Sequence, residues 1–192
     1  MNRRAFLGAA LALGALTVGS GHTPYRQWKV YRQRHLLILT SRTDAPSFAL
    51  GKRVAEVLAT YLPSSKARVA RAPFTRRIAS LISSRQVEVA ILARDDAAAL
   101  LAGRAPFADF DPVPLRTLVG LGTRLLVCRD DFPDRHAYLV AATLSRNRDR
   151  LPVAVSPGED RPGEPDATVP MHPGARAFFA GRPPPERGDA GG

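Results

Sequence analysis

A single cysteine among 192 residues rules out an intrachain disulfide framework and any CxxC metal or redox pair. That residue, Cys128, continues the apolar run Leu125-Leu126-Val127, where a thiol behaves as a small buried hydrophobe rather than a nucleophile. The four histidines, His22, His35, His136 and His172, stand far apart and form no HxH or HExxH spacing, so no metal site is expected. Glycine-rich phosphate loops of the Walker A and GxGxxG kinds are missing, as is the GxSxG turn of serine hydrolases. The adjacent carboxylates Asp95-Asp96 and Asp130-Asp131 fit helix starts, where free N–H groups favour negative charge, better than acid/base chemistry. No enzyme activity and no cofactor are therefore expected.

Acidic residues are also missing from the first 43 positions. Arg3, Arg4, Arg26, Lys29, Arg32, Arg34 and Arg42 precede the first carboxylate, Asp44, and account for seven of the net eleven positive charges. Beyond Asp44 the basic groups are interspersed with acids, and aromatics make up only 7% of the chain, which does not fit a nucleic-acid surface. Arginine outnumbers lysine 25 to 3, a compositional bias before it is a phosphate-binding feature.

Residues 1–21, MNRRAFLGAALALGALTVGSG, have the layout of a secretory signal: two arginines, an apolar stretch, then small residues. The string Arg3-Arg4-Ala5-Phe6-Leu7 resembles the twin-arginine export motif. The apolar stretch is shorter than the roughly 18–20 residues a spanning helix needs, so export to the periplasm is the first reading. An uncleaved inner-membrane anchor through residues 5–20 is the second, because the basic linker 22–35 follows where the positive-inside rule retains charge in the cytoplasm.

From residue 36 the hydrophobic period alternates. Leu36–Ser41 reads as a strand buried on both faces, and residues 46–62 as a helix with Phe48, Val54, Val57, Leu58, Tyr61 and Leu62 at helical spacing. Ala67–Ala72 reads as a polar, edge strand, Thr75–Ser84 as a helix, Val87–Ala93 as the strongest strand, and Asp95–Ala102 as a short helix ended by Gly103. Leu115–Leu121 and Leu125–Arg129 follow as an antiparallel pair around Gly122-Thr123, then a helix over His136–Arg146. This pattern predicts an α/β fold: one doubly wound lobe over 36–151, mostly parallel, with an antiparallel addition. Residues 152–180 read as a Pro/Gly-rich crossover that ends in an apolar knot at Met171–Phe179 and completes the lobe. The tail 181–192 reads as disordered.

In open α/β sheets ligands sit at the carboxyl ends of strands. There Thr40, Ser41 and Ser47 offer hydroxyls, Arg42 a cation and helix 46–62 its free N–H groups, together suited to a carboxylate. The alternative, equally open at this stage, is that Asp44 or Ser47 caps the helix and Arg42 is solvated.

Several segments in order, ILTSRTDAPSFALGKRVAEVL, LISSRQVEVAILARDDAAALLAG, APF, LRTLVGL and VPMHPGARAFF, resemble the TAXI family, the TRAP-associated extracytoplasmic solute receptors. Ser47-Phe48-Ala49-Leu50-Gly51 stands where that family opens its first helix, and Pro170-Met171-His172-Pro173-Gly174-Ala175 matches its near-terminal signature. The resemblance spans residues 36–179 and implies a periplasmic binding protein of type II-like fold that hands a small organic anion or amino acid to a TRAP-type membrane transporter. It implies ligand contacts at Thr40, Ser41, Ser47, Phe48, Arg94 and Asp95, with Phe48 against the apolar part of the ligand. His172 shapes the chain reversal before the last helix.

Two departures qualify that expectation. Arg42-Thr43-Asp44-Ala45 replaces glycines of the family, which keeps a ligand farther from the backbone. Phe132–Val140 resembles a segment that full-length receptors place near their end, so most of the second lobe is expected to be missing. One lobe leaves a half-site, which calls for a homodimer or another protein to supply the opposite wall. The alternative function is a membrane-associated interaction or sensory module that no longer captures ligand and contacts another envelope protein or anionic lipid.

Overall fold

Short apolar runs and 3.6-period segments alternate along the chain, and they fold as strands and helices in that order. A computed structural model describes residues 35–158 and 169–186. The expected signal or anchor 1–21, the basic linker up to residue 34, residues 159–168 and the tail from 187 lie outside the described residues. The strands are β1 (Leu37–Ser41), β2 (Arg68–Ala72), β3 (Val89–Ala93), β4 (Leu115–Leu121), β5 (Arg124–Arg129) and β6 (Val155–Ser156). The helices are α1 (Ala45–Tyr61), α2 (Thr75–Ser83), α3 (Arg94–Ala102), α4 (Asp134–Arg146) and α5 (Pro173–Phe179).

All six strands form one sheet in the order β2-β1-β3-β5-β4-β6. β1 pairs in parallel with both β2 and β3, whereas β5 is antiparallel to β3 and β4, and β6 antiparallel to β4. Four of the six strands thus run the same way. The fold is the expected α/β, doubly wound single lobe with an antiparallel addition. β2 is the edge that its polar Arg68 and Arg71 announce, since an outer strand needs only one neighbour and charge there discourages further pairing.

Alternation along each buried strand sends side chains to two cores. Ile38, Val89, Ile91, Leu126 and Cys128 pack with Val54 and Leu58 of α1 and Val140 and Leu144 of α4. Leu39, Ala90, Leu92, Leu125 and Val127 face the other way and pack with Ile78 and Ile82 of α2 and Leu100 of α3. Burial on both faces explains why these strands read as continuous hydrophobic runs. Cys128 is fully buried, and desolvation pushes its thiol well above the ordinary range, as expected of an inert core residue.

Gly51 lets α1 sit close on the sheet: a Cβ there would lie 2.7 Å from Thr40 Cγ2 and 3.0 Å from Val69 Cγ2. The crossover is less irregular than its composition implies. β6 pairs with Gly120 and Leu121 of β4, and residues 169–172 run beside the other half of β4, where Thr117 N donates to the Pro170 carbonyl at 2.9 Å and Thr117 Oγ1 to the Val169 carbonyl at 3.0 Å. His172 then caps α5, its Nδ1 accepting from Gly174 N at 3.2 Å. The first six residues of the tail, expected to be disordered, have no helix or strand but are tethered to α4. Tyr138 Oη donates to the Arg182 carbonyl at 3.0 Å and Arg135 to the Pro185 carbonyl at 3.1 Å. Two side chains of α4 thus supply the contacts that the tail composition lacks.

Only Asp130–Pro133 separate β5 from α4. Four residues cannot hold a further lobe, so the described residues form a single lobe.

Candidate functional site

The strand order 2-1-3 reverses between β1 and β3, and a reversal of this kind opens a crevice at the strands' carboxyl ends because the following helices leave to opposite faces. α1 leaves β1 toward the first core and α3 leaves β3 toward the second. Residues 41–47 and 93–96 therefore border this crevice. β5 runs the other way, so its first residue, Arg124, joins them opposite Ala93.

The hydroxyls singled out in the sequence are present there but engaged. Thr40 is fully buried and its Oγ1 donates to the Ala70 carbonyl at 3.0 Å, which ties β1 to β2. Ser47 is fully buried: its Oγ donates to the Asp44 carbonyl at 2.7 Å and accepts from Ser41 N at 3.3 Å. Ser41 Oγ lies 2.7 Å from Thr43 Oγ1 and accepts from Thr43 N at 3.2 Å, a local turn that closes the loop. These bonds shape the β1–α1 connection, but neither Asp44, the N-cap residue, nor Ser47 caps α1 with its side chain, contrary to the capping alternative. Arg42 and Thr43 are exposed beside them.

Phe48 points elsewhere. The Arg71 guanidinium of β2 covers its ring at 4.3 Å, so the phenyl ring lies toward the outer strand and not toward β3. Arg94 and Asp95 open α3. Arg94 is half-buried and its Nη1 donates to the Gly158 carbonyl at 2.8 Å, which ties α3 to the loop after β6. β6 and that loop approach β4 so closely that a Cβ on Gly120 would lie 2.4 Å from Ser156 Oγ and 2.9 Å from Gly158 Cα, with Arg94 Nη2 at 3.1 Å. Neither Asp95 nor Asp96 caps α3 with its side chain, contrary to the sequence expectation. The N-cap is Ala93, and both carboxylates lie inside the first turn, where their charge favours the helix dipole.

Sequence reasoning missed the main charged contact of the crevice. Arg124 grips Asp44 with two contacts, Nε to Oδ2 at 2.8 Å and Nη2 to Oδ1 at 2.5 Å, with both side chains about four-fifths covered. The carboxylate raises the Arg124 pKa in return. Two donors on two oxygens make this a directional clamp. Nothing in the local pattern marks Arg124 as special, because its partner lies 80 positions earlier and meets it only once β5 inserts beside β3. Asp96 senses the same cluster: burial foremost, then the charges of Asp44 and Asp95, hold its carboxyl above the usual range. The crevice is thus lined by charges of both signs, Arg94 and Arg124 with Asp44, Asp95 and Asp96.

Among the described residues no three His, Cys, Asp or Glu side chains converge to hold a metal ion, and no helix is long and apolar enough to cross a membrane. No known protein-family model matches the chain, and no curated protein is significantly similar to it.

Proposed function

We propose that this lobe is the ligand-binding half of a solute receptor and that it takes an amino acid at the β1/β3 crevice. The observation that carries this reading is the mixed charge there: Arg94 and Arg124 stand beside Asp44, Asp95 and Asp96 at two helix N-termini. A zwitterion satisfies both signs, its carboxylate at the guanidinium and helix side and its ammonium at the acids, whereas a dicarboxylate would meet three like charges. The resemblance of residues 36–179 to the TAXI receptors supports the same class, with export to the periplasm and delivery to a TRAP-type transporter as the roles it implies.

The open half-site weakens capture. Without a second wall, binding at a wet surface amounts to only about −4 kcal/mol, a millimolar dissociation constant. A homodimer or the transporter itself has to close over the ligand. The decisive experiment is thermal unfolding with amino acids and with dicarboxylates at 10 mM. A millimolar ligand at that concentration stabilises by about 1.4 kcal/mol. The expected result is stabilisation by one or more amino acids, none by dicarboxylates, and loss of the effect in Arg94→Ala. If no amino acid stabilises the protein, the receptor reading fails.

In that event the second reading takes over: an interaction or sensory module of the envelope. The observation that favours it is the Arg124–Asp44 clamp, which already satisfies the crevice's strongest cation without a ligand.

A further inference from the structure

The opposite end of the sheet holds a second, unrelated cavity. It opens between the amino ends of β1 and β3, the 3-10 turn Pro63–Ser65 that follows α1, and the first turns of α4, and has a volume of about 260 Å³. That is slightly below the roughly 300–1,000 Å³ of typical ligand sites, so an occupant would be small. Apolar walls come from Leu36, Leu62, Phe132, Leu139 and Val140, and Glu88, Ser65, Ser64, His35 and His136 line the cavity beside them. Ser65 Oγ is buried with no hydrogen-bond partner among the described residues, and an unmet buried hydroxyl is destabilising until a ligand group satisfies it.

Glu88 decides the chemistry. It stands at the mouth, and among the described residues it makes no hydrogen bond or ion pair. The two arginines that share an adjoining cavity with it, Arg85 and Arg129, are both engaged with Asp131, Arg129 through Nε at 3.2 Å and Arg85 through Nη1 at 3.7 Å, and Arg129 Nη1 also donates to the Ile82 carbonyl. Crowding by the cavity walls holds the Glu88 carboxyl above its ordinary range, with His136 opposing and Asp131 reinforcing that shift. Phe132 and His136 set two rings 6.0 Å apart beside it, and ring faces attract ammonium groups.

We propose that this cavity binds a small organic ammonium ion, with the charged nitrogen held between Glu88, the Ser65 hydroxyl and the Phe132 ring and the hydrocarbon part against Leu62 and Leu139. Neither the crevice at the other end of the sheet nor its ligand takes part.

The test is isothermal titration of the full-length protein with three molecules of equal shape, cyclohexylamine, cyclohexanol and cyclohexanecarboxylate, at neutral pH. The amine is expected to bind at least tenfold more tightly than the alcohol, and the carboxylate not at all. Glu88→Gln should bring the amine to the level of the alcohol, and Leu139→Trp should abolish both by filling the cavity. Arg94→Ala should change none of these, which separates the result from that of the receptor site. Glu88 lies at an exposed rim, so its variant remains informative even where Leu139→Trp unfolds. Equal binding of all three molecules, no binding of the amine, or an amine affinity unmoved by Glu88→Gln overturns the proposal.

Discussion

His172 concentrates several constraints in one side chain. It is fully buried, its Nδ1 accepts from Gly174 N and lies 3.6 Å from Asp134 Oδ1. Burial lowers its pKa from the ordinary 6.5, outweighing the nearby Asp134 that acts in the other direction. The folded chain thus prefers the neutral ring, while the unfolded chain takes up a proton near pH 6.5. Stability from this group is fully present above that pH and is lost as pH falls through it. Chemical denaturation followed between pH 7.5 and 5.5 should show this decline, and His172→Asn, which keeps an acceptor for Gly174 but cannot titrate, should flatten it. Identical slopes in both proteins would show that the ring does not sense pH. His172→Ala should cost about 1 kcal/mol at neutral pH through the lost cap, and less as pH falls.

Among the elements, the strands and helices that bury one clear stripe or a continuous run are readable from the sequence. The segment Leu115–Leu121 coincides with β4, and Leu36–Ser41 differs from β1 by one residue, because each is punctuated by residues that cannot extend it. β6 was hidden, since two residues in a stretch rich in proline and glycine carry no periodicity and pair only because Gly120 admits them at close range. The same limit hid the Arg124–Asp44 clamp and the cavity around Glu88, both products of pairing between distant segments. Serine and threonine at the end of β1 were legible as a polar cluster, yet their bonding to one another was not, because a hydroxyl's partner depends on the turn it sits in.

Close packing between elements makes a ranked prediction. A Cβ on Gly174 would lie 1.9 Å from the Asp134 carbonyl oxygen, which is backbone and cannot step aside, whereas one on Gly51 meets the Thr40 and Val69 methyls. Gly51→Ala should therefore destabilise by about 1–3 kcal/mol, and Gly174→Ala by more, because α5 has to leave α4. Thermal melting checks the order, at about 2–4 °C per kcal/mol for a chain of this length. A Gly174→Ala protein that melts with the parent would mean that α5 is not seated as described.

For the molecule as a whole, both cores are opposite faces of one sheet, so neither can dissolve without exposing the other. Unfolding should be a single transition, with far-ultraviolet circular dichroism and the near-ultraviolet signal coinciding. Two separated midpoints would show that the β4–β5–β6 half comes apart independently of β1–β3.

The insertion of β5 between β3 and β4 also orders events in time. A growing polypeptide emerges with β4 before β5, yet β4 touches β3 only through the later strand. The β2-β1-β3 half can assemble as soon as it leaves the ribosome, while β4 must wait, unpaired, until about residue 129 is free. During that interval β3 exposes a bare, oily flank, which makes this stretch of translation the point at which a chaperone has most to protect.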